Sequence, residues 1–70
     1  MRRNDNFLKE VGSKLKAIRK SKGVSVRLLG SMCNLDFSNL SRFENGQKDM
    51  RISTLKLIAD KLEVDVKEFI

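Results

Sequence analysis

Apolar residues recur every three or four positions along much of the chain, which is the spacing that places side chains on one face of an α-helix. The first such run consists of Leu8, Val11, Leu15 and Ile18. With Gly23 as a natural stop, this run predicts an amphipathic helix over residues 7–22. Residues 1–6 are polar and lack the periodicity, so we expect them to form a flexible N-terminal arm.

Three shorter helices are predicted after this one, two of them from residues that suit helix starts. Ser25 is placed to cap a helix over residues 26–33, and Asp36 is placed to cap a helix over residues 37–45. The inward side of the first of these is assigned to Leu28, Leu29 and Met32. The next helix carries the apolar run Ile52, Leu55, Ile58, Ala59 and Leu62.

The end of the chain contains "DVKE", Asp65 to Glu68, whose spacing is that of a capping box and predicts a short fifth helix. No segment alternates as a half-buried strand would. The predicted fold class is therefore all-α, a compact bundle of five short helices. A chain of 70 residues supports a single apolar core, so residues 7–70 are expected to form one domain.

The composition narrows the chemistry open to the chain. Cys33 is the only cysteine and histidine is absent, which excludes an intramolecular disulfide and removes the commonest metal ligand. We therefore expect no metal and no other cofactor. With no signal-peptide pattern and no long uncharged apolar run, we expect a soluble protein of the reducing cytoplasm, without a membrane partner.

Positive charge is concentrated in the first half of the chain. Residues 1–35 hold nine Lys and Arg against two acids, whereas residues 36–70 hold six against seven, and the whole chain carries +6. Such an asymmetry indicates a basic surface for a polyanion, with nucleic acid as the leading candidate and an acidic membrane as the second. The alternative is surplus lysine that serves only solubility.

The predicted helix over residues 37–45 has two different faces when its residues are projected at 100° each. Leu40 and Phe43 occupy the apolar arc. The opposite arc has one arginine among small hydrogen-bonding groups and no acid, and it consists of Ser38, Asn39, Ser41, Arg42 and Asn45. Small side chains permit close approach to a major groove and arginine bonds guanine at two atoms, so this arc is a candidate base-reading surface. The alternative is the solvated side of a short, weakly formed helix.

Glu44 lies on the apolar side of the same helix, where an unpaired buried carboxylate is strongly unfavourable. Arg19 lies at the edge of the apolar stripe of the first helix. We therefore predict an ion pair between Arg19 and Glu44 that ties the two helices together. A catalytic carboxylate is the alternative, but no nucleophile or second carboxylate can be placed beside it, so the chain is not expected to be an enzyme.

Five segments of the chain resemble the phage-repressor-like helix-turn-helix regulators, also called the lambda Cro-like or xenobiotic-response-element type. They are "KAIRKSKGVS", the helix-turn-helix from Ser25 to Asn45, "FENG", "STLKLIADKLEV" and "VKEF", in family order and at family spacing. The resemblance covers about residues 11–69. It implies a five-helix bundle whose second helix braces the DNA backbone and whose third enters the major groove, usually in a homodimer on a palindromic operator. "NLD" and "LEV" also resemble the restriction-modification controller subgroup.

The resemblance implies roles for individual residues. It implies the Arg19–Glu44 pair independently of the burial argument. Base contacts are implied for Phe37, Ser38, Asn39 and Arg42. Phosphate contacts are implied for Ser41, Asn45, Gln47, Lys48 and, at the N-terminal end of the second helix, Val26 and Arg27.

Several residues depart from the family pattern. Val26 stands where the family commonly has glutamine, so Arg27 is the neighbour left to contact a phosphate. Gly30 replaces the usual alanine, which preserves close helix packing. Phe37 stands where a polar or basic residue often contacts bases, and two interpretations stay open: it contacts a thymine methyl group, or it folds back onto the protein.

Leu57 lies outside the apolar arc of the fourth predicted helix, where the family more often has a polar residue. With Phe69 and Ile70 expected to be exposed at the chain end, it forms a candidate dimer interface. The alternative is that Leu57 packs beneath the last helix of its own subunit.

The leading functional hypothesis is a sequence-specific transcriptional regulator that binds double-stranded DNA as a homodimer, without a small-molecule ligand. The second hypothesis is a protein-binding module of the same fold, which holds a toxin or another regulator. Val26, Phe37 and Leu57, if exposed, would favour it.

Overall fold

The computed structural model describes residues 3–70, with side chains from residue 6 onward. Within these residues the chain forms four α-helices and one 3₁₀-helix, with no strand. The α-helices are α1 (Arg3–Ser21), α2 (Val26–Cys33), α3 (Phe37–Glu44) and α4 (Ile52–Leu62), and the 3₁₀-helix spans Val66–Phe69. The predicted all-α fold is confirmed.

Helix α1 begins four residues earlier than predicted, at Arg3 instead of Phe7. Residues 3–6, which were expected to belong to a flexible arm, therefore have helical backbone, and residues 1–2 lie outside the described part of the chain. This segment contains neither glycine nor proline, so polar residues can extend the helix without an apolar stripe.

The starts of α2 and α3 are fixed by the predicted caps. The Ser25 hydroxyl accepts a hydrogen bond from the Leu28 N–H at 3.0 Å, and the Asp36 carboxylate accepts one from the Ser38 N–H at 2.9 Å. Asn34 turns the chain between them in the left-handed conformation, with φ of 57°. The helix-turn-helix is therefore determined by local hydrogen bonds and by one residue that tolerates this backbone shape.

The predicted fifth α-helix is a 3₁₀-helix of four residues. Asp65 caps it by accepting from the Lys67 N–H at 3.0 Å, as its place in the "DVKE" segment suggested. Four residues complete barely one α-helical turn, and the tighter 3₁₀ form is common in pieces of this length.

The largest fully buried side chains come from every helix and from the 3₁₀-helix: Leu15, Leu29, Leu40, Ile58 and Phe69. The prediction that Phe69 is exposed in a dimer interface is therefore wrong. The 3₁₀-helix packs against both α1 and α4, and it turns this ring into the core. The neighbouring Ile70 is exposed.

Helix α2 is rotated relative to the predicted orientation. Leu29, Gly30 and Cys33 are buried, whereas Leu28 and Met32 are exposed, so the predicted inward side is correct only at Leu29. Because Leu28 and Met32 lie four residues apart, as do Leu29 and Cys33, helical spacing alone defines both pairs as a face.

Helix α1 crosses the C-terminal end of α3 in very close contact at Gly12. A Cβ atom at this position would lie 2.8 Å from the Glu44 carbonyl oxygen and closer still to the Phe43 carbonyl oxygen. The absence of a side chain allows α1 to approach the last turn of α3. Among the described residues, every helix is too short or too polar to cross a lipid bilayer.

Candidate nucleic-acid interface

Helix α3 has the two faces that its sequence predicted. Leu40 and Phe43 are buried. The opposite face is formed by Ser38, Asn39, Arg42 and Asn45, which are exposed, and by Ser41, which is half-buried. The exposed face of α3 therefore presents hydrogen-bonding groups and one guanidinium, while the apolar face of the same helix packs in the core.

The predicted ion pair between Arg19 and Glu44 is present and holds the end of α3 against α1. Arg19 donates from Nε to Oε2 of Glu44 at 2.7 Å and from Nη2 to Oε1 at 3.0 Å. Its Nη1 donates to the Val24 carbonyl oxygen at 2.6 Å. Both charged side chains are buried, at 7% and 6% exposure. This bidentate pair fixes α3 relative to α1 and to the segment that enters α2.

Arg42 lies in the last turn of α3, on the exposed face. It has no ion-pair partner within residues 6–70, so its guanidinium is available to a ligand. The N–H groups of a guanidinium point in fixed, nearly parallel directions, and this geometry matches paired acceptors such as N7 and O6 of guanine.

A shallow groove of about 360 Å³ lies between α3, the loop that follows it, and the start of α4. It is lined by Asn39 from the exposed face of α3, Lys48 from the loop and Arg51 at the N-cap of α4. Gln47 is exposed in the same loop. One predicted base-contacting residue, Asn39, and one predicted phosphate-contacting residue, Lys48, therefore line the same groove.

Arg51 is the second basic residue that lines this groove, and it was not among the predicted DNA contacts. It precedes α4 and makes no side-chain cap hydrogen bond to the helix. The sequence feature that could have predicted its role is its position in the same basic loop as Lys48.

The N-terminal end of α2 is the other predicted phosphate site. The Val26 side chain packs against the core, so this residue offers a phosphate only its main-chain N–H. The first N–H groups of a helix lack partners within it and suit an anionic oxygen. Arg27, by contrast, is exposed and can extend a charged side chain.

Phe37, the first residue of α3, is 39% exposed and lies at the border between the buried and the exposed face of the helix. The Arg27 guanidinium carbon lies 4.5 Å from the centre of its ring, which is a cation–π contact. A Cβ atom at Gly30 would lie 3.3 Å from the Phe37 Cβ, so α2 and the start of α3 meet here with no spare room.

Further exposed apolar side chains lie in α4 and at the end of the chain. Leu57 of α4 is 37% exposed, and Ile70 is 54% exposed. Ile70 also lines a small apolar groove of about 100 Å³ together with Phe7 and Ile52. Leu57 is therefore not fully buried beneath the 3₁₀-helix, and two of the three predicted interface residues are accessible.

Comparison with protein families gives one match over most of the chain. The model of the family HTH_3, described as helix-turn-helix, matches residues 15–69. Comparison with curated protein sequences gives no significant match.

Several solved structures are similar to this one. The restriction-modification controller protein C.AhdI from Aeromonas hydrophila has a TM-score of 0.86 and 27% identity, with coverage of 90% of this chain and 96% of that one. The wild-type restriction-modification controller protein C.Esp1396I has a TM-score of 0.81 and 33% identity, with coverage of 90% and 83%. An HTH_3 family transcriptional regulator from Vibrio cholerae has a TM-score of 0.87 and 29% identity, with coverage of 94% and 37%.

Proposed function

The chain belongs to the HTH_3 helix-turn-helix family and is a DNA-binding transcriptional regulator, and from that premise we propose that it acts in the cytoplasm as a homodimer on a palindromic operator. Proteins of this family are generally not enzymes. The observation that carries the proposal is the exposed, acid-free face of α3, supported from behind by buried apolar residues and the Arg19–Glu44 pair.

In this proposal α3 lies in the major groove with its outward face toward the base edges. Arg42 donates to a guanine, while Ser38 and Asn39 hydrogen-bond to neighbouring bases. Short side chains around the arginine let the helix backbone approach the groove closely. Phe37, at the start of α3, completes the base-contacting set.

Phosphate contacts come from two sides of α3. The N-terminal end of α2 contributes Arg27 and the main-chain N–H of Val26 on one side. The residues on the other side are Ser41, Asn45, Gln47 and Lys48, to which we add Arg51 because it lines the same groove as Lys48. These contacts orient the protein on the duplex without reading its sequence.

The second copy is proposed to pack against the exposed apolar residues Leu57 and Ile70. Phe69 has no part in this surface because its ring is buried in the core. Two copies related by a twofold axis present two α3 helices to two half-sites, which is the arrangement that a palindromic operator requires.

A fluorescence titration against the duplex upstream of the protein's own gene, with an unrelated duplex as the matched control, tests this proposal. Tighter binding to the first duplex is expected. Affinity for both should fall steeply with salt, by about three orders of magnitude between about 50 and 200 mM for six phosphate contacts. Equal and weak binding to both duplexes at low salt would contradict the regulator proposal.

A protein-binding module is the second candidate, and the exposed Leu28 and Met32 on α2 favour it because they form an apolar strip with no role in the DNA proposal. This candidate predicts equal binding to the two duplexes together with saturable binding to one protein partner. The same titration separates the two candidates, since a partner-binding module needs no preference between duplexes.

A further inference from the structure

Phe37 exposes an aromatic ring at the position where a helix-turn-helix presents base-reading side chains. It is the first residue of α3, directly after the Asp36 cap, and the N-terminal residues of the second helix of the motif contact base edges. Its 39% exposure means that the ring is not part of the core. The exposed part of the residue is therefore accessible to a ligand at this position.

The packing of α2 against the start of α3 keeps this ring outside. At Gly30 an added Cβ atom would lie 2.9 Å from the Leu35 carbonyl oxygen and 3.3 Å from the Phe37 Cβ. The two backbone segments are already in contact there. The Gly30 carbonyl oxygen accepts a hydrogen bond from the Leu35 N–H at 2.8 Å. Even a single Cβ atom at Gly30 would not fit between the two segments without a shift.

Arg27 covers one side of the exposed ring. Its guanidinium carbon lies 4.5 Å from the ring centre, so the cation occupies that face and restrains the side chain. Phe37 is nevertheless 39% exposed, so part of the residue stays available to a ligand. Because Arg27 is also a proposed phosphate contact, one cation is placed to bind the backbone and to orient the ring.

A phenyl ring offers no hydrogen-bond donor or acceptor, which limits what it can recognise in a major groove. All four bases present polar atoms there, thymine through O4, and covering such atoms with a hydrocarbon leaves them unsatisfied. Thymine presents a C5-methyl group, which is the one apolar feature of the four bases in that groove. The ring therefore matches thymine and disfavours the polar edges of the other three bases.

We propose that Phe37, held by Arg27, binds the C5-methyl group of one thymine in each half-site of the operator. This inference rests on the proposed function, since it assigns a ligand to a residue of the same interface. Phe37 then discriminates through an apolar contact, whereas Arg42 discriminates through hydrogen bonds.

Deoxyuridine in place of thymidine removes only the methyl group and so provides the test. A duplex selected by the wild-type protein from a random pool is synthesised in two forms, with dTTP and with dUTP, and both dissociation constants are measured. Wild type should bind the uracil form about fourfold more weakly for each methyl group contacted. Phe37→Ala should bind the two forms nearly equally, and Phe37→Leu should keep part of the difference.

Two further variants serve as controls. Leu28→Ala truncates another exposed apolar residue, outside α3, and should keep the wild-type ratio between the two duplexes. Arg27→Ala should weaken binding to both forms and reduce the ratio, because the ring loses its restraint. A thermal unfolding curve for each variant establishes that it is folded.

The outcomes separate this inference from the function on which it rests. If the wild-type protein selects no duplex from the pool, the regulator proposal fails and the inference fails with it. If it selects a duplex but binds the thymine and uracil forms equally, or if Phe37→Ala keeps the full ratio, the methyl contact is wrong while specific DNA binding stands.

Discussion

Arg19 of α1 and Glu44 at the end of α3 form a buried, bidentate ion pair, with contacts of 2.7 and 3.0 Å. Arg19 also donates to the Val24 carbonyl oxygen at 2.6 Å, just before α2 begins. One guanidinium therefore joins α1, the end of α3 and the segment that enters α2. The orientation of the exposed face of α3 depends on this side chain although neither charge is accessible to DNA.

Replacing Glu44 with glutamine should destabilise the fold severely. The change leaves the Arg19 charge buried without its counter-ion, and breaking one side of a buried pair costs about 3 to 5 kcal/mol. Thermal unfolding followed by circular dichroism measures the effect, with Glu63→Gln as the control because Glu63 is exposed. Equal unfolding temperatures for the two variants would contradict a stabilising role for the pair.

Gly12→Ala tests the close crossing of α1 and α3. Alanine at a free helix position stabilises by up to about 1 kcal/mol relative to glycine. Here the added Cβ would press on the Phe43 and Glu44 carbonyl oxygens, so we expect a net loss of about 1 to 3 kcal/mol. Ser13→Ala, at the exposed neighbouring position, is the control in a urea titration. A stabilised Gly12→Ala variant would mean that the two helices separate without cost.

Cys33 provides a pH-dependent probe of the core. Burial raises the pKa of its thiol above the ordinary value of 9.0, and the smaller effect of Lys61 lowers it. A raised pKa in the folded state contributes stability that is fully present below the ordinary pKa and is lost as pH rises through the folded value.

The Cys33 prediction is checked by comparing wild type with Cys33→Ala. Between about pH 8 and about pH 10 the wild-type free energy of unfolding should fall more than that of the variant. Alkylation of Cys33 should also be much slower in the folded protein than in urea, since the thiolate is the reactive species. The same pH dependence in both proteins would show that the thiol does not contribute.

The fold and the faces of α3 followed from sequence because apolar and polar residues there separate cleanly around the helix. Leu40 and Phe43 fall on one arc and Arg42 on the other, so one projection gives the correct orientation. The buried Glu44 was equally informative, because a carboxylate on an apolar face requires a cation and Arg19 was the residue at the facing edge.

Helix α2 and the chain end were less predictable because competing apolar residues have equivalent spacing. Leu28 with Met32 and Leu29 with Cys33 each satisfy the helical repeat, and only packing against α3 and α4 selects the second pair. Phe69 and Ile70 are adjacent apolar residues, and only the docking of the 3₁₀-helix determines that Phe69 is buried and Ile70 exposed. The contact of Arg27 with Phe37 joins two helices and has no signature in either one.

The proposed dimer predicts that charge at the apolar surface separates the subunits. Leu57→Glu and Ile70→Glu should each raise the dimer dissociation constant by about tenfold or more in sedimentation equilibrium, because a carboxylate buried at the interface is left unpaired. Leu28→Glu introduces the same charge at an exposed apolar residue of α2 and should leave association unchanged. If only Leu28→Glu dissociates the dimer, the interface lies on α2 and the proposed surface is wrong.

The base-reading role of the exposed α3 face is tested by comparing Arg42→Ala with Lys48→Ala on a selected operator and on a scrambled duplex of the same composition. Arg42→Ala should cost about 1 to 3 kcal/mol on the operator and much less on the scrambled duplex, so that the specificity ratio falls. Lys48→Ala should weaken binding to both duplexes alike and keep the ratio. A wild-type specificity ratio in Arg42→Ala would contradict the assignment of the α3 face as the base-reading surface.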